Sequence, residues 1–328
     1  MIEEDPATLA EVGEFAVIDR LVGGRRGGPG VVLGPGDDAA VLAAPDGRVV
    51  VTTDMLVEGR HFRLDWATPH DVGRKAVAQN AADIEAMGAS VTGFVVALGA
   101  PADTAASRLA ALADGMWDEA RRLAAGIVGG DLVASPQWVV SVTALGDLGD
   151  RGPVTRAGAS AGEVVAVCGE LGRSAAGYAL LRNGIADFEP LRRRHLVPQP
   201  PYRQGVVAAH AGAGAMTDVS DGLIADLRHI ARASGVCIDL ASAGLAADHD
   251  ALAGAAAAAA ADPWSWVLGG GEDHALVATF PAVRWSLGEP HSGVPDGWRV
   301  IGVVLDGPAR VLLDGDRWAG SEGWQSFG

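Results

Sequence analysis

Apolar positions along the first half of the chain switch repeatedly between helical and strand spacing. Glu11–Leu21 reads as a helix, Val49–Thr53 as a buried strand and Pro69–Met87 as a long helix. Gly93–Leu98 then reads as a strand, Thr104–Leu123 as a helix and Trp138–Leu145 as a strand. Such alternation predicts an α/β or α+β protein. The turn-rich stretch Gly146–Pro153 interrupts the pattern and divides an N-terminal domain, 1–148, from a C-terminal domain, 149–328. The pattern restarts beyond it, with strands expected at Glu163–Val167, Ala215–Thr217, Val236–Leu240, Ala275–Phe280, Arg299–Val304 and Arg310–Leu313. Helices are expected at Ser174–Leu181, Tyr202–Ala211 and Gly222–Ser234. The alanine run Ala255–Ala261 needs only a surface helix to explain it, since alanine is the best helix former.

The length of 328 residues fits two domains better than one core. A formal charge of −16 argues against a nucleic-acid partner, which needs a basic face to displace counterions. The only lysine is Lys75, in a context that does not fit the P-loop, where a lysine must reach the nucleotide phosphates. The protein-kinase signatures are also absent. Cys168 and Cys237 lack metal-ligand spacing and read as small buried hydrophobes, in keeping with a reducing cytoplasm. An acidic N-terminus and the lack of any apolar run near ~18 residues give the expectation of a cytoplasmic protein with no membrane span.

Acidic residues change this picture most. Three strand-like runs end in them: Val49–Asp54, Ile127–Asp131 and Met216–Asp221, with Gly36-Asp37-Asp38 upstream. Carboxylates gathered in one place repel, so their convergence implies hard divalent cations, Mg²⁺ above all, and with Mg²⁺ phosphate chemistry. Each segment also has an ordinary explanation. Gly34–Leu42 can close an Asx turn. Asp54 can simply end a strand, although Thr52 and Thr53 beside it add oxygens that Mg²⁺ accepts. His61 can merely satisfy a hydrogen bond. On the Pro69–Met87 helix, Ala76, Asn80 and Asp83 share one stripe, and Lys75, Gln79 and Asp83 the adjoining one. Gly129-Gly130-Asp131 offers backbone amides and a carboxylate, or just a turn. In Thr217–Leu223, Ser220 or Asp221 can cap the following helix, whose N-terminal amides favour anions, but capping explains one acid and not both. Gly269–His274 carries Glu272 and Asp273 in a glycine-rich loop that a hairpin would also explain.

In this order, from about Phe15 to the end of the chain, the six segments closely resemble the thiamine-monophosphate kinase family of the aminoimidazole ribonucleotide synthetase superfamily. The resemblance implies a two-domain fold of that superfamily, a homodimer whose N-terminal sheets join, and nucleotide bound across the subunit interface. It implies ATP-dependent phosphorylation of thiamine monophosphate to thiamine diphosphate with several Mg²⁺ ions. Matched by position, the metal ligands fall on Asp38, Thr52, Thr53, Asp54, Asp83, Asp131, Asp218 and Asp221. ATP falls near Gly130, Asp131, Arg156 and Ser220, and the thiamine phosphate near His61, Glu272 or Asp273, and Trp324. The chain departs from the family pattern at Pro35 and at Leu132, where a threonine is usual and a hydroxyl is lost.

The acceptor is already a phosphate monoester, so its anionic oxygen needs no strong base, and positioning with charge neutralisation suffices for direct in-line transfer. Asp218 and Arg156 are the expected catalytic residues. No Ser/His/Asp arrangement or activated cysteine points to a covalent phosphoenzyme. Two alternatives are a non-catalytic nucleotide or thiamine-phosphate sensor and another ATP-using enzyme of the superfamily. The enzymes of that kind lean on a terminal catalytic cysteine or selenocysteine that this chain lacks.

Overall fold

A computed structural model describes residues 7–12, 17, 20–21, 24–25, 28–33, 40–282 and 293–324. Gly34–Ala39, and with it Asp38, lies outside the described residues, as do 13–16 and 18–19 of the helix expected over Glu11–Leu21. The chain forms two compact units, Met1–Ile84 with Ser90–Asp150, and Glu85–Ala89 with Arg151–Gly328.

In the first unit a short helix α1 (Leu9–Val12) and a two-stranded ribbon, β1 (Val31–Leu33) with β2 (Val41–Leu42), precede the main elements. These are β3 (Val50–Val57), α2 (Pro69–Ala86), β4 (Ser90–Ala100), α3 (Ala106–Arg122), β5 (Ile127–Ala134) and β6 (Val139–Asp147). The sheet order is β3-β6-β4-β5, with only β4 and β5 parallel. Two expectations are corrected here: β3 does not end at Asp54, nor β5 at Asp131. A ladder partner carries each strand onward, β6 pairing β3 as far as Val57 and β4 pairing β5 as far as Ala134.

Helix α2 is apolar and buried on much of its circumference, with Val72, Ala76, Val77, Ala78, Ala81, Ala82 and Ile84 inside. It meets α3 at backbone distance. A Cβ on Gly73 would stand 2.0 Å from the Leu112 carbonyl oxygen, and one on Gly115 2.0 Å from that of His70, so only glycine permits the approach. Glu119, fully buried on α3, is neutralised by Arg74 of α2 and Arg122 of its own helix. On the sheet face carrying Val51, Met55, Val95 and Val133, these apolar side chains are exposed.

The second unit contains β7 (Val164–Cys168), α4 (Arg173–Arg182), α5 (Glu189–Leu196), α6 (Gln204–His210), β8 (Met216–Asp218) and α7 (Leu223–Ser234). There follow β9 (Cys237–Leu240), α8 (Ser242–Ala259), α9 (Pro263–Gly269), β10 (Leu276–Phe280), β11 (Arg299–Leu305) and β12 (Arg310–Leu313). The six strands are ordered β12-β9-β11-β7-β10-β8, antiparallel except for β12 with β9. A core of Val165, Val167, Leu180, Leu227, Ile230, Leu252 and Val277 fills one side. Met216, Ala166, Ala278 and Phe280 form another cluster, with Trp298 edge-on to Phe280. Helices α5 and α9 were not expected, because Glu189–Leu196 buries only Leu191 and His195 and so carries almost no apolar periodicity. Among the described residues no helix is long and apolar enough to cross a membrane.

Candidate functional site

In the first unit the acids are placed by regular secondary structure. Residues alternate faces along β3, so Thr52 and Asp54 point one way and Thr53 the other. The Thr52 hydroxyl donates to Asp83 Oδ2 at 2.7 Å, and the Asp54 backbone N–H donates to Asn80 Oδ1 at 3.0 Å. Asn80 is buried and donates in turn to the Ala76 carbonyl at 2.8 Å, which orients its amide. The helical stripe of Asn80 and Asp83 therefore lies against β3, whose edge it covers. Thr53 does not join them. Its hydroxyl donates to the Val142 carbonyl at 3.0 Å and accepts from the Thr143 hydroxyl at 3.1 Å.

Asp131 stands apart as well. The register pairs Met55 with Ser141, Ser141 with Ala97 and Ala97 with Asp131, so the Asp131 side chain shares the face of Met55, opposite to Asp54. β3 and β5 are the two edges of the sheet, three interstrand spacings or roughly 14 Å apart. Gly130 is exposed and packs its backbone on β4, where a Cβ would meet the Val96 carbonyl oxygen at 2.2 Å. His61 accepts the Val57 N–H at Nδ1, 3.0 Å, and its carbonyl accepts from the buried Lys75 ammonium at 3.1 Å. Nδ1 is thus an acceptor and the ring is the neutral Nε2–H tautomer.

In the second unit two loops hold each other. The Val219 and Ser220 carbonyls accept from the His274 and Glu272 N–H groups at 2.9 and 2.8 Å, and the Val219 N–H donates to the Ala275 carbonyl at 2.8 Å. Glu272 and His274 both adopt left-handed backbone, with φ of 63° and 52°, a conformation uncommon outside glycine. Asp218, buried at the end of β8, accepts from His274 Nδ1 at 3.0 Å. Burial and the neighbouring charge of Asp218 raise the pKa of Asp221, while His229, Arg156 and His274 pull it back. The Trp324 N–H donates to the Asp221 carbonyl at 2.9 Å, which ties the C-terminal segment to this loop and leaves the indole about half exposed.

Neither Ser220 nor Asp221 caps α7. The N-cap is Gly222, without a side-chain cap, and the acceptor is Asp226 in the first turn. Its Oδ2 takes the N–H groups of Ser220, Asp221 and Gly222 at 3.0, 3.1 and 3.0 Å. The amides of the turn just before α7 are thus occupied by the chain's own carboxylate. Burial and the charge of Asp218 push Asp226 up to about 7. Sequence reasoning missed this residue, although an acid in the first turn of a helix preceded by two further acids was the available signal.

Of the two acids in the glycine-rich loop, Asp273 is committed to the fold. Its carboxylate accepts the Gly172 and Ser174 N–H groups at the start of α4, and burial pushes it up to about 7. Glu272 is a third exposed, lies 3.3 Å from His195 Nδ1, and edges a recess lined by Glu170, Arg173, Arg194 and Gln199. Among the described residues no three His, Cys, Asp or Glu side chains form a metal cluster. Oxygen donors nevertheless occur in pairs, Asp83 with Thr52 near Asp54, and Asp218 with Asp221. Mg²⁺ commonly takes only one or two protein carboxylates and fills its octahedron with water and phosphate oxygens, so these pairs fit it.

Residues 36–148 match the family model described as AIR synthase related protein, N-terminal domain. The thiamine-monophosphate kinase of Mycobacterium tuberculosis is 68% identical over 98% of this chain and 93% of its own length. The crystal structure of thiamine-monophosphate kinase from Stenotrophomonas maltophilia is 31% identical, superposes with a TM-score of 0.76, and covers 92% of this chain and 95% of that one. AaThiL complexed with AMPPCP and TMP is also 31% identical, with a TM-score of 0.74, over 98% of this chain and 99% of that one.

Proposed function

The chain belongs to the thiamine-monophosphate kinase family, and from that premise we propose that it transfers the terminal phosphate of ATP to thiamine monophosphate, giving thiamine diphosphate and ADP. The observation that carries the reading is the Thr217–Leu223 turn, where Asp218, buried at the end of β8, and Asp221 in the turn lie within each other's field, with the charge of Arg156 acting on Asp221. A polyanionic substrate suits such a turn only if cations come with it.

Asp54 and Asp83, with the Thr52 hydroxyl, and Asp218 and Asp221 are the residues that would hold Mg²⁺. Bound there, Mg²⁺ supplies charge neutralisation for phosphate oxygens that would otherwise repel the carboxylates and one another. His274 donates to Asp218, which fixes that carboxylate's orientation. Arg156 brings a permanent positive charge for the transferring group. The acceptor phosphate needs no base, and none of the described acids is required to take a proton from it. We assign Glu272 and Trp324 of the second unit to thiamine monophosphate and Gly130 and Asp131 of the first to the nucleotide, while His61 and Ser220 keep the roles that the family resemblance gives them. Asp273 drops out of that assignment, since its carboxylate is spent on the amides of α4. Thr53 turns its hydroxyl to the sheet face opposite Asp54, and Asp38 is carried by the resemblance.

We further propose a homodimer and a cytoplasmic location. Support for the dimer comes from the exposed Val51, Met55, Val95 and Val133 on one sheet face, an apolar patch that a second sheet would bury. Buried free thiols at Cys168 and Cys237 suit a reducing compartment.

The test is chromatography of ADP and thiamine diphosphate from purified protein with ATP, Mg²⁺ and thiamine monophosphate, free thiamine serving as control acceptor. Stoichiometric products that depend on the monophosphate support the reading. Binding without turnover supports a sensor instead.

A further inference from the structure

The loop that presents Asp218, Ser220 and Asp221 has its backbone gathered from one point inside. One oxygen of Asp226 accepts three consecutive N–H groups, at 3.0, 3.1 and 3.0 Å. Successive amides that converge on one acceptor form a tight concavity, and their carbonyls then point outward. Each of those carbonyls finds a donor in another segment. Val219 and Ser220 receive the N–H groups of His274 and Glu272, and Asp221 receives that of Trp324. Asp226 is 1% exposed and sits on α7 between Ala225 and Leu227. Leu227 is fully buried in the core, so the acceptor stands on an anchored helix. The loop is therefore fastened from inside to a rigid element and from outside to the glycine-rich loop and the C-terminal segment.

We propose that Asp226 is a positioning residue of the phosphotransfer site, holding the Ser220–Gly222 backbone so that the Asp218 and Asp221 carboxylates keep the spacing a divalent cation needs. The proposal rests on the kinase reading above. It has two parts that a simple helix cap would lack. The three occupied turn amides cannot capture a substrate phosphate. The clamp also transmits to both sides of the loop at once, so loosening it changes metal affinity and not only stability.

The experiment uses the full chain and reads Mn²⁺ binding by electron paramagnetic resonance without nucleotide, together with kcat, both KM values and Tm. Asp226→Ala removes the acceptor. Asp226→Asn keeps the volume and one acceptor oxygen, and Leu227→Ala loosens the same helix without touching the loop amides. Expected is a loss of Mn²⁺ affinity of about 10- to 100-fold in Asp226→Ala, the range for partners that orient metal ligands. A fall in kcat should accompany it with the KM for thiamine monophosphate little changed, and Asp226→Asn should recover part of both. Leu227→Ala should lower Tm and leave Mn²⁺ affinity unchanged. Folded Asp226→Ala or Asp226→Asn protein that binds Mn²⁺ as the wild type does would overturn the proposal. So would an Asp226→Asn chain that does not fold, because it would assign the residue to the fold instead of the site. Wild-type protein that binds Mn²⁺ but makes no thiamine diphosphate overturns the kinase reading alone, and the Mn²⁺ comparison among variants still decides the role of Asp226.

Discussion

In the first unit Thr52, Asp54, Asn80 and Asp83 stand on a regular strand and a regular helix, whereas in the second Asp218, Ser220 and Asp221 stand at a strand end and in a turn. The first group faces one way because strand and helix periods dictate it. The second is held by backbone hydrogen bonds to a buried acid and to two other segments. A site on regular elements depends on side chains that can be lost one at a time. A site on a clamped turn depends on several contacts that fail together.

The largest effect should come from the second unit. Asp218→Asn keeps an acceptor for His274 but removes the charge beside Asp221, and turnover should drop by about 10³-fold or more, with near-native circular dichroism and Tm. Near-normal kcat in that variant would remove Asp218 from the metal ligands. The comparison sharpens with Asn80→Ala in the first unit, which strips the acceptor from the Asp54 N–H at a strand edge. That should cost about 1–3 kcal/mol in urea unfolding, with a smaller loss of activity than in Asp218→Asn. An activity loss as large as that of Asp218→Asn would mean that the regular frame is no more tolerant than the turn.

A third variant tests the second unit away from its acids. Glu85, buried, accepts the Arg203 and Gly205 N–H groups at 2.7 and 2.9 Å. Burial raises its pKa from 4.5 to about 6. The fold thus holds the proton more tightly than the unfolded chain does. Its stabilising contribution is complete below pH 4.5 and is lost as pH rises through 6, about 2 kcal/mol in all. Urea unfolding from pH 4 to 7 should lose about 2 kcal/mol more in the wild type than in Glu85→Gln, where the slope left by the other raised acids remains. Parallel curves would mean that Glu85 titrates no differently when folded.

Legibility followed the same division. Period-2 and period-3.6 patterns identified β3, α2, β4, α3 and β6, and the stripe of Asn80 and Asp83 was readable because helical spacing alone puts them on one face. The same rule, pressed further, would have separated Thr53 from Thr52 and Asp54. Spacing marks Asp226 as an acid in the first turn of a helix, but not its role, since three amides meeting one oxygen is a fact of backbone conformation. Asp273 and Glu272 are adjacent acids in one loop, and only the left-handed turn at Glu272 sends one to the amides of α4 and leaves the other partly exposed. Helix α5 escaped notice because three successive arginines and a histidine mask its single buried leucine.

By itself the sequence determined the α/β character, the order of most of the elements, the acid-rich segments and the absence of a P-loop lysine, all of which depend on local spacing and residue type. Tertiary structure alone decided which acids share a face, which are consumed by backbone amides, and that Asp54 and Asp131 lie on opposite edges of one sheet. Strand order is set by which apolar faces bury one another across the whole unit. No spacing along the chain encodes that choice.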